Sequence, residues 1–239
     1  MIRSVDGRWG KIHFFEKDEF VGKSLFHYGE YKPGETEFVL ALACEAGKGR
    51  LILDIGANIG AIGQALEHEG YTVASFEPQP EVFRLLGLNV KGEKHNCALG
   101  DFEGIAQMPK VHYSERNNFG GLAIGFSSML GTIDVAVRKL DSFGLDNVGL
   151  MKIDVEGFEE RVLHGAVETI NRCNPILYME DDRREARAGL HAFLKKLRYT
   201  WTEHRPPLYR ADNFFGKRKN VWDESYASHN IVCRREQTS

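Results

Sequence analysis

The sequence predicts an α/β fold in which a mostly parallel sheet is covered by helices on both faces. One observation about the order of the segments carries this prediction. From Leu51 onward, short apolar runs typical of strands alternate with amphipathic segments typical of helices, and such alternation favours parallel strands joined by right-handed crossovers. With 239 residues the chain can bury one substantial core, so we expect a single domain over residues 1–239.

The predicted elements follow in chain order. Residues 8–29 read as short alternating strands broken by glycines, so we expect residues 1–34 to form a β extension before a Rossmann-like core over residues 35–239. Strands are predicted at 51–55, 71–76, 95–99, 150–155, 175–180, 199–203 and 229–234, and helices at 35–46, 59–68, 81–90, 157–172 and 186–197. The stretch 102–149 is too long to be only a connector, and we expect it to have a functional role or to form a small hairpin.

The composition is that of an ordinary soluble globular protein, with 42% hydrophobic and 27% charged residues. The net charge of −3 arises from interspersed residues of both signs, so no nucleic-acid partner is expected. No apolar run of about 18 residues occurs, and no membrane span is expected. The four cysteines lack metal-ligand spacing and the first residues lack a signal-peptide core, which together favour a cytoplasmic setting.

The segment Leu51–Gly60 is predicted to bind the cofactor. An apolar strand that ends with Asp54-Ile55 runs into a turn that contains Gly56, Ala57, Asn58 and Gly60, and then into a helix. The glycines permit a tight turn and close approach of a ligand, and the helix N-terminus favours a carboxylate. Asn58 stands where a dinucleotide site has glycine, which disfavours an NAD-dependent oxidoreductase. The structural alternative is a tight turn that binds nothing.

Glu77 strengthens the prediction of a cofactor site. It follows Asp54 by 23 positions (77 − 54) at the end of the next strand, close to the spacing of about 20 at which an acid meets ribose hydroxyls. Its two oxygens can accept both vicinal hydroxyl protons. A ligand with a ribose and a carboxylate but no pyrophosphate fits both segments, and S-adenosylmethionine is such a ligand.

Five segments carry a resemblance to a known family: Asp54–Gly60, Phe76–Pro78, Asn96–Asp101, Leu140–Ser142 and Lys152–Glu160. On these segments, in order and spacing from about residue 28 to the end, the sequence resembles the FkbM family of class I methyltransferases. The Lys-Ile-Asp-Val-Glu-Gly run at 152–157 is the most specific of them. The resemblance implies a seven-stranded sheet whose last strand is antiparallel, a strand that residues 229–234 would supply.

The resemblance also implies O-methylation, typically of sugars or natural-product hydroxyls, and a set of binding residues. Tyr28, Gly29 and Glu30 are expected near the methionine end of the cofactor, and Pro78 beside Glu77. Ala98, Leu99 and Asp101 are expected to line the adenine. Near the acceptor we expect Asn117, Asn118 and Gly120.

Lys152, Asp154 and Glu156 are the predicted catalytic residues. They alternate with apolar residues, so in an extended strand all three point the same way, toward the ligand crevice at the carboxyl edge. We expect Asp154 to orient the cofactor's methionine end and the acceptor, and Glu156 to take the acceptor's proton. In the competing interpretations Lys152 only forms a salt bridge, and Glu156 only stabilises the first turn of the following helix.

Glu180-Asp181-Asp182 closes the fifth strand and admits two interpretations. Glu180 is expected to contact the acceptor. Acids at this position together with Asp154 suit magnesium, but Asp is also a frequent helix cap, and we favour a cap by Asp181 or Asp182 and predict no metal. The resulting hypothesis is methyl transfer to a hydroxyl of a carbohydrate or glycosylated acceptor. The alternatives are a polyketide or other small-molecule hydroxyl, and a non-catalytic S-adenosylmethionine- or nucleotide-binding module.

Overall fold

A seven-stranded sheet with helices on both faces lies at the centre of the structure, a computed structural model that describes residues 1–222 and 227–236. In chain order the strands are β1 (Ile2–Gly7), β2 (Gly10–Phe15), β3 (Leu51–Ile55), β4 (Val73–Phe76), β5 (Glu93–His95), β6 (Ala98–Leu99), β7 (Gly104–Pro109), β8 (Thr132–Arg138), β9 (Val148–Ile153), β10 (Ile176–Glu180), β11 (Tyr199–His204) and β12 (Asn230–Arg235). The helices are α1 (Val21–Tyr28), α2 (Pro33–Ala46), α3 (Ala61–His68), α4 (Pro80–Asn89), α5 (Glu159–His164), α6 (Val167–Cys173) and α7 (Arg184–Lys196).

The order of strands in the central sheet is β11-β12-β10-β9-β3-β4-β5. β12 pairs antiparallel with both of its neighbours, whereas the remaining pairs are parallel. The α/β class, the seven strands and the antiparallel strand near the carboxyl end are therefore confirmed.

Apolar side chains of the central strands bury both faces of the sheet. Consecutive residues of a strand face opposite sides, and in β3 Ile52 packs with Leu42 of α2 and Leu66 of α3. The next residue, Leu53, lies in the cluster that contains residues of α5, α6 and α7. The central strands are covered on both sides, which explains their unbroken apolar runs. Among the described residues, no helix is long and apolar enough to cross a membrane.

The N-terminal extension contains a helix where strands were predicted. β1 and β2 form an antiparallel hairpin, but residues 21–28 are the helix α1. Its buried Val21, Leu25 and Tyr28 are spaced as one face of a helix, and Gly29 ends it at φ 71°. This apolar face, and not the neighbouring glycines, decided the local structure.

Two further element predictions were wrong in detail. The strand expected at 95–99 is divided, because β5 completes the central sheet while β6 joins β7 and β8 in a separate three-stranded sheet. The helix expected at 157–172 is two helices, α5 and α6, with Gly165 between them. A Cβ at Gly165 would lie 1.8 Å from the carbonyl oxygen of Gly100, so the chain passes directly against the backbone that follows β6.

Candidate active site

A cavity of about 530 Å³ lies at the carboxyl ends of β3, β4, β9 and β10, a volume typical of cofactor and small-molecule sites. Because these strands are parallel, their polar terminal residues meet at the same edge of the sheet. The predicted site residues that line it are Asp54, Gly56, Ala57, Asn58, Glu77, Pro78, Ala98, Leu99, Asn118, Gly120, Lys152, Asp154, Glu156 and Glu180.

Six predicted site residues do not line the cavity: Tyr28, Gly29, Glu30, Gly60, Asp101 and Asn117. Tyr28, Gly29 and Glu30 instead contact the segment that precedes β12. The Tyr28 hydroxyl accepts the N–H of Val221 at 2.7 Å, and Glu30 accepts the N–H of Phe214 at 2.9 Å. A Cβ at Gly29 would lie 2.6 Å from the ring of Phe215.

The other three residues are also occupied elsewhere. Asp101 pairs with Arg161 at 2.7 Å, and Asn117 exchanges backbone hydrogen bonds with the segment that precedes α1. Gly60 lies beneath α4, where a Cβ would come within 2.8 Å of the Leu86 side chain. The chain contributes other residues that the sequence pattern did not single out, notably Tyr31 and Lys32.

The glycine turn after β3 is shaped by the protein's own backbone. Gly56 has φ 75°, and a Cβ there would lie 1.9 Å from the carbonyl oxygen of Asp154. The close approach of the chain after β9 is therefore a further reason for glycine at this position, beyond the tight turn and the ligand approach that were predicted. Asn58 is also left-handed, with φ 52°, and its side-chain oxygen accepts the N–H of Ile59 at 2.7 Å.

Glu77 is buried at the end of β4 and lines the cavity beside this turn. One carboxylate oxygen accepts the N–H of Asn58 at 3.0 Å and the other accepts the N–H of Gln79 at 2.9 Å. Burial raises the pKa of Glu77 to about 7, against the two N–H donors, which lower it. Each oxygen retains a further lone pair, so a ribose hydroxyl can still be accepted.

Lys152 connects the ends of β3 and β9. The strand register places it beside Asp54, whose Oδ1 lies 3.3 Å from the lysine Nζ. The same ammonium donates to the carbonyl oxygen of Gly56 at 3.2 Å and lies 3.7 Å from Oδ2 of Asp154. The charges of Asp54 and Asp154 raise the pKa of Lys152, although burial, the largest influence, opposes them. The salt-bridge interpretation of Lys152 therefore agrees with the geometry.

Three carboxylates of the cavity lining form a cluster: oxygens of Asp154, Glu156 and Glu180 lie within 4.8 Å of one another. Burial tends to raise the pKa of Asp154, but two lysines, Lys32 and Lys152, outweigh it and lower that pKa. Burial, with the charges of Asp154 and Glu156, raises the pKa of Glu180 to about 10. Glu180 is therefore the protonated member of the group at neutral pH, and its Oε2 has no hydrogen-bond partner among the described residues.

The structure decides two of the competing interpretations. Glu156 does not lie in a helix: it has φ 56° and precedes α5 by three residues, and its carboxylate pairs with Arg183. The helix cap expected after β10 is absent as well, because Arg183 occupies the N-cap position of α7 and no side chain caps it. Asp181 instead pairs with Arg187 and His191, at 3.1 Å each.

Comparison with known proteins identifies the family. The family model described as the methyltransferase FkbM domain matches residues 54–204. This range includes the turn after β3, Glu77 and the carboxylate cluster of Asp154, Glu156 and Glu180. The chain belongs to the FkbM methyltransferase family. It is an S-adenosylmethionine-dependent methyltransferase.

The chain is similar to a curated FkbM methyltransferase and to a crystallised one. The 31-O-demethyl-FK506 methyltransferase FkbM of Streptomyces tacrolimicus is 27% identical over 242 residues, covering 84% of this chain and 86% of the relative. The crystal structure of methyltransferase FkbM from Methylobacillus flagellatus KT matches with a TM-score of 0.50 at 17% identity, over 77% of this chain. This chain spans 43% of that crystallised protein, and the likeness shows a shared fold.

The residues of the cavity fit S-adenosylmethionine. Glu77 has lone pairs that would accept ribose hydroxyls, and Ala98 and Leu99 line the cavity with apolar surface against which an adenine would pack. Both carboxylate oxygens of Asp54 are buried, and no donor in the described part of the chain meets hydrogen-bond geometry toward them. Lys152 is the cationic partner of this carboxylate, with its Nζ 3.3 Å from Oδ1. An amino group of a ligand near Asp54 would add a further donor to a buried carboxylate and would be stabilised by it.

We expect Glu77→Ala to weaken the binding of S-adenosylhomocysteine by about 1–3 kcal/mol, because the ribose hydroxyls would lose their acceptor. The measurement is calorimetric titration of the folded variant. Glu67→Ala is the matched control, since Glu67 also accepts two backbone N–H groups, at 2.8 and 2.7 Å, but lies in α3 away from the cavity. An unchanged dissociation constant in Glu77→Ala, or an equal loss in Glu67→Ala, would contradict a ribose contact.

We also expect methyl transfer to survive chelation. Two of the three clustered carboxylates already have cationic partners, because two lysines approach Asp154 and Arg183 pairs with Glu156. A hard divalent cation needs several oxygen ligands and would have to displace these pairs. The test is turnover in EDTA against turnover with added magnesium. Activity that is lost in EDTA and restored by magnesium would show that the cluster binds a metal.

Proposed function

We propose that this enzyme transfers the methyl group of S-adenosylmethionine to a hydroxyl of a carbohydrate or glycosylated acceptor. The observation that carries the proposal is the carboxylate cluster of Asp154, Glu156 and Glu180 beside the predicted cofactor segment. The two oxygens of a carboxylate can accept hydrogen bonds from two neighbouring hydroxyls. Such a cluster therefore suits an acceptor with several hydroxyls. The bound cofactor supplies an electrophilic methyl group, and the chain must orient the acceptor oxygen and remove its proton.

Glu180 is suited to hold the acceptor. With a pKa of about 10 it carries a proton at neutral pH, so it can donate one hydrogen bond and accept another. Its unpartnered Oε2 would gain a partner when a hydroxyl binds, and a newly satisfied buried oxygen contributes to binding.

Glu156 is suited to accept the proton. Burial and the charge of Asp154 raise its pKa, although Arg183 opposes them, and a carboxylate with a raised pKa is a stronger base. As the oxygen–methyl bond forms, the sulfur–methyl bond of the cofactor would break to leave S-adenosylhomocysteine, and the hydroxyl proton would pass to Glu156. Asp154, whose pKa is lowered by Lys32 and Lys152, is the weaker base and would remain an anion that orients the reactants.

The charge of the cavity supports an uncharged acceptor. Among the described residues its lining contains six acidic side chains, Asp54, Glu77, Asp154, Glu156, Glu180 and Asp182, and three lysine or arginine side chains, Lys32, Lys152 and Arg183. The acidic groups remain in excess when Glu180 is protonated. An anionic acceptor would meet like charges in a partly enclosed site, which is unfavourable. Neutral sugars and glycosides are therefore preferred over uronates or phosphorylated sugars.

A second candidate is O-methylation of a small-molecule hydroxyl that carries no sugar. The name of the Streptomyces tacrolimicus relative, 31-O-demethyl-FK506 methyltransferase FkbM, favours it. The two candidates share the chemistry at Glu156 and Glu180 and differ in what surrounds the hydroxyl.

The proposal is tested by methyl transfer from labelled S-adenosylmethionine. The acceptors are neutral glycans, their uronate counterparts, glycosylated small molecules and the matching aglycones. We expect label in alkali-stable ethers of neutral glycosides, because an ether resists the base that cleaves a methyl ester. Label confined to aglycones would support the second candidate, and label only in amines or alkali-labile esters would refute O-methylation.

We expect Glu156→Gln to lower turnover by about 10²–10⁴-fold, the usual effect of losing a general base, with unchanged affinity for S-adenosylhomocysteine. Glu45→Gln is the control: it also removes a glutamate that pairs with an arginine, Arg234, but outside the cavity. Turnover near that of the wild type in Glu156→Gln would end its role as the base and leave Asp154 as the next candidate.

A further inference from the structure

A second lysine approaches Asp154 from outside the predicted motifs. Lys32 directly precedes α2, is only 9% exposed, and has a left-handed backbone with φ 42°. Its Nζ lies 3.6 Å from Oδ2 of Asp154, and Nζ of Lys152 lies 3.7 Å from the same oxygen. The two lysines therefore approach the same oxygen of the Asp154 carboxylate.

Lys152 has other hydrogen-bond and ion-pair partners, and these limit how strongly it can hold the Asp154 carboxylate in position. Its ammonium is closer to Oδ1 of Asp54, at 3.3 Å, and to the carbonyl oxygen of Gly56, at 3.2 Å. One ammonium has three protons to donate, and here two of its nearest acceptors belong to β3 and the turn that follows it. Lys32 adds the second contact that restricts the Asp154 carboxylate.

A buried polar chain anchors Lys32. Its Nζ lies 3.3 Å from Oε2 of Glu35, which is 1% exposed. Asn230 donates from its side-chain nitrogen to the same Glu35 oxygen, at 3.3 Å, and to the hydroxyl of Tyr178, at 2.8 Å. Tyr178 is then left to donate to Nδ1 of His204, at 2.9 Å. Lys32 is thus connected through side chains to β10, β11 and β12.

We propose that Lys32 is a positioning residue for methyl transfer, which acts by holding Oδ2 of Asp154 together with Lys152. The inference rests on the proposed function, in which Asp154 orients the cofactor and the acceptor. Lys32 itself needs no contact with either. Its contribution is alignment, and a displacement of about 1 Å at a reacting group can cost about 10²-fold in rate.

The test compares Lys32→Met, Lys32→Arg and a control, Lys94→Met. Lys94 also donates to two backbone carbonyls, at 3.2 and 2.6 Å, but lies in β5 outside the cavity lining. For Lys32→Met we expect kcat to fall about 10²-fold with KM and S-adenosylhomocysteine affinity within about threefold of wild type. Lys32→Arg should recover most of the kcat, and Lys94→Met should retain it.

A double variant and a structural readout complete the test. Lys32→Met leaves the Glu35 carboxylate buried without its cation, so Lys32→Met/Glu35→Gln is included as a variant that removes both charges. Crystal structures of the wild type and the double variant with S-adenosylhomocysteine should show Asp154 displaced in the variant alone. This readout does not require an acceptor, so it decides the inference even if no acceptor is methylated and the proposed function fails.

Three outcomes would overturn the inference. The first is a kcat for Lys32→Met and the double variant within about threefold of wild type. The second is a loss of kcat that matches the loss of cofactor affinity and that arginine does not restore, since this would indicate a structural role. The third is an Asp154 carboxylate that keeps its position in the double variant.

Discussion

The pairing of β3 with β9 is the contact on which the active site depends. Its register sets Asp54 beside Lys152, and two residues further the turn passes so close to Asp154 that Gly56 has no room for a Cβ. This one strand pair therefore positions two parts of the proposed site. The first is the turn after β3, which is proposed to bind the cofactor, and the second is the Asp154 carboxylate, which is proposed to orient the cofactor. A shift of this register by one residue would turn each side chain to the opposite face, so the site and the sheet cannot vary independently.

The features predicted correctly from sequence are those with local signals. The α/β class follows from alternating apolar runs, and the antiparallel β12 follows from the family resemblance. Asp54, Glu77, Asp154 and Glu180 line one cavity because each lies at the carboxyl end of a parallel strand, a relation that the chain order already implies. Which of these residues bind cofactor or acceptor stays a prediction.

The features that were missed depend on contacts between distant segments. Before Lys32 is placed in space, its only local signal is the following proline, which indicates the start of a helix. Gly165, which lies between α5 and α6, has no room for a Cβ because of the carbonyl of Gly100, 65 residues earlier (165 − 100). Likewise Tyr28 and Glu30, expected at the methionine end, are engaged by the segment near residues 214–221. The spacing of residues in the sequence does not indicate which distant segments will come into contact.

Left-handed backbone at non-glycine residues is concentrated around the cavity. Of the five such residues in the described chain, Lys32, Asn58 and Glu156 line it, and Asn174 and Arg198 lie elsewhere. This conformation costs about 1–3 kcal/mol for a residue with a Cβ, and glycine would relieve it. Selection for thermostability alone would therefore favour glycine at the three positions and remove a lysine, a carboxylate and an amide from the site. Under the proposed function, the three side chains would contribute to activity at a cost in stability.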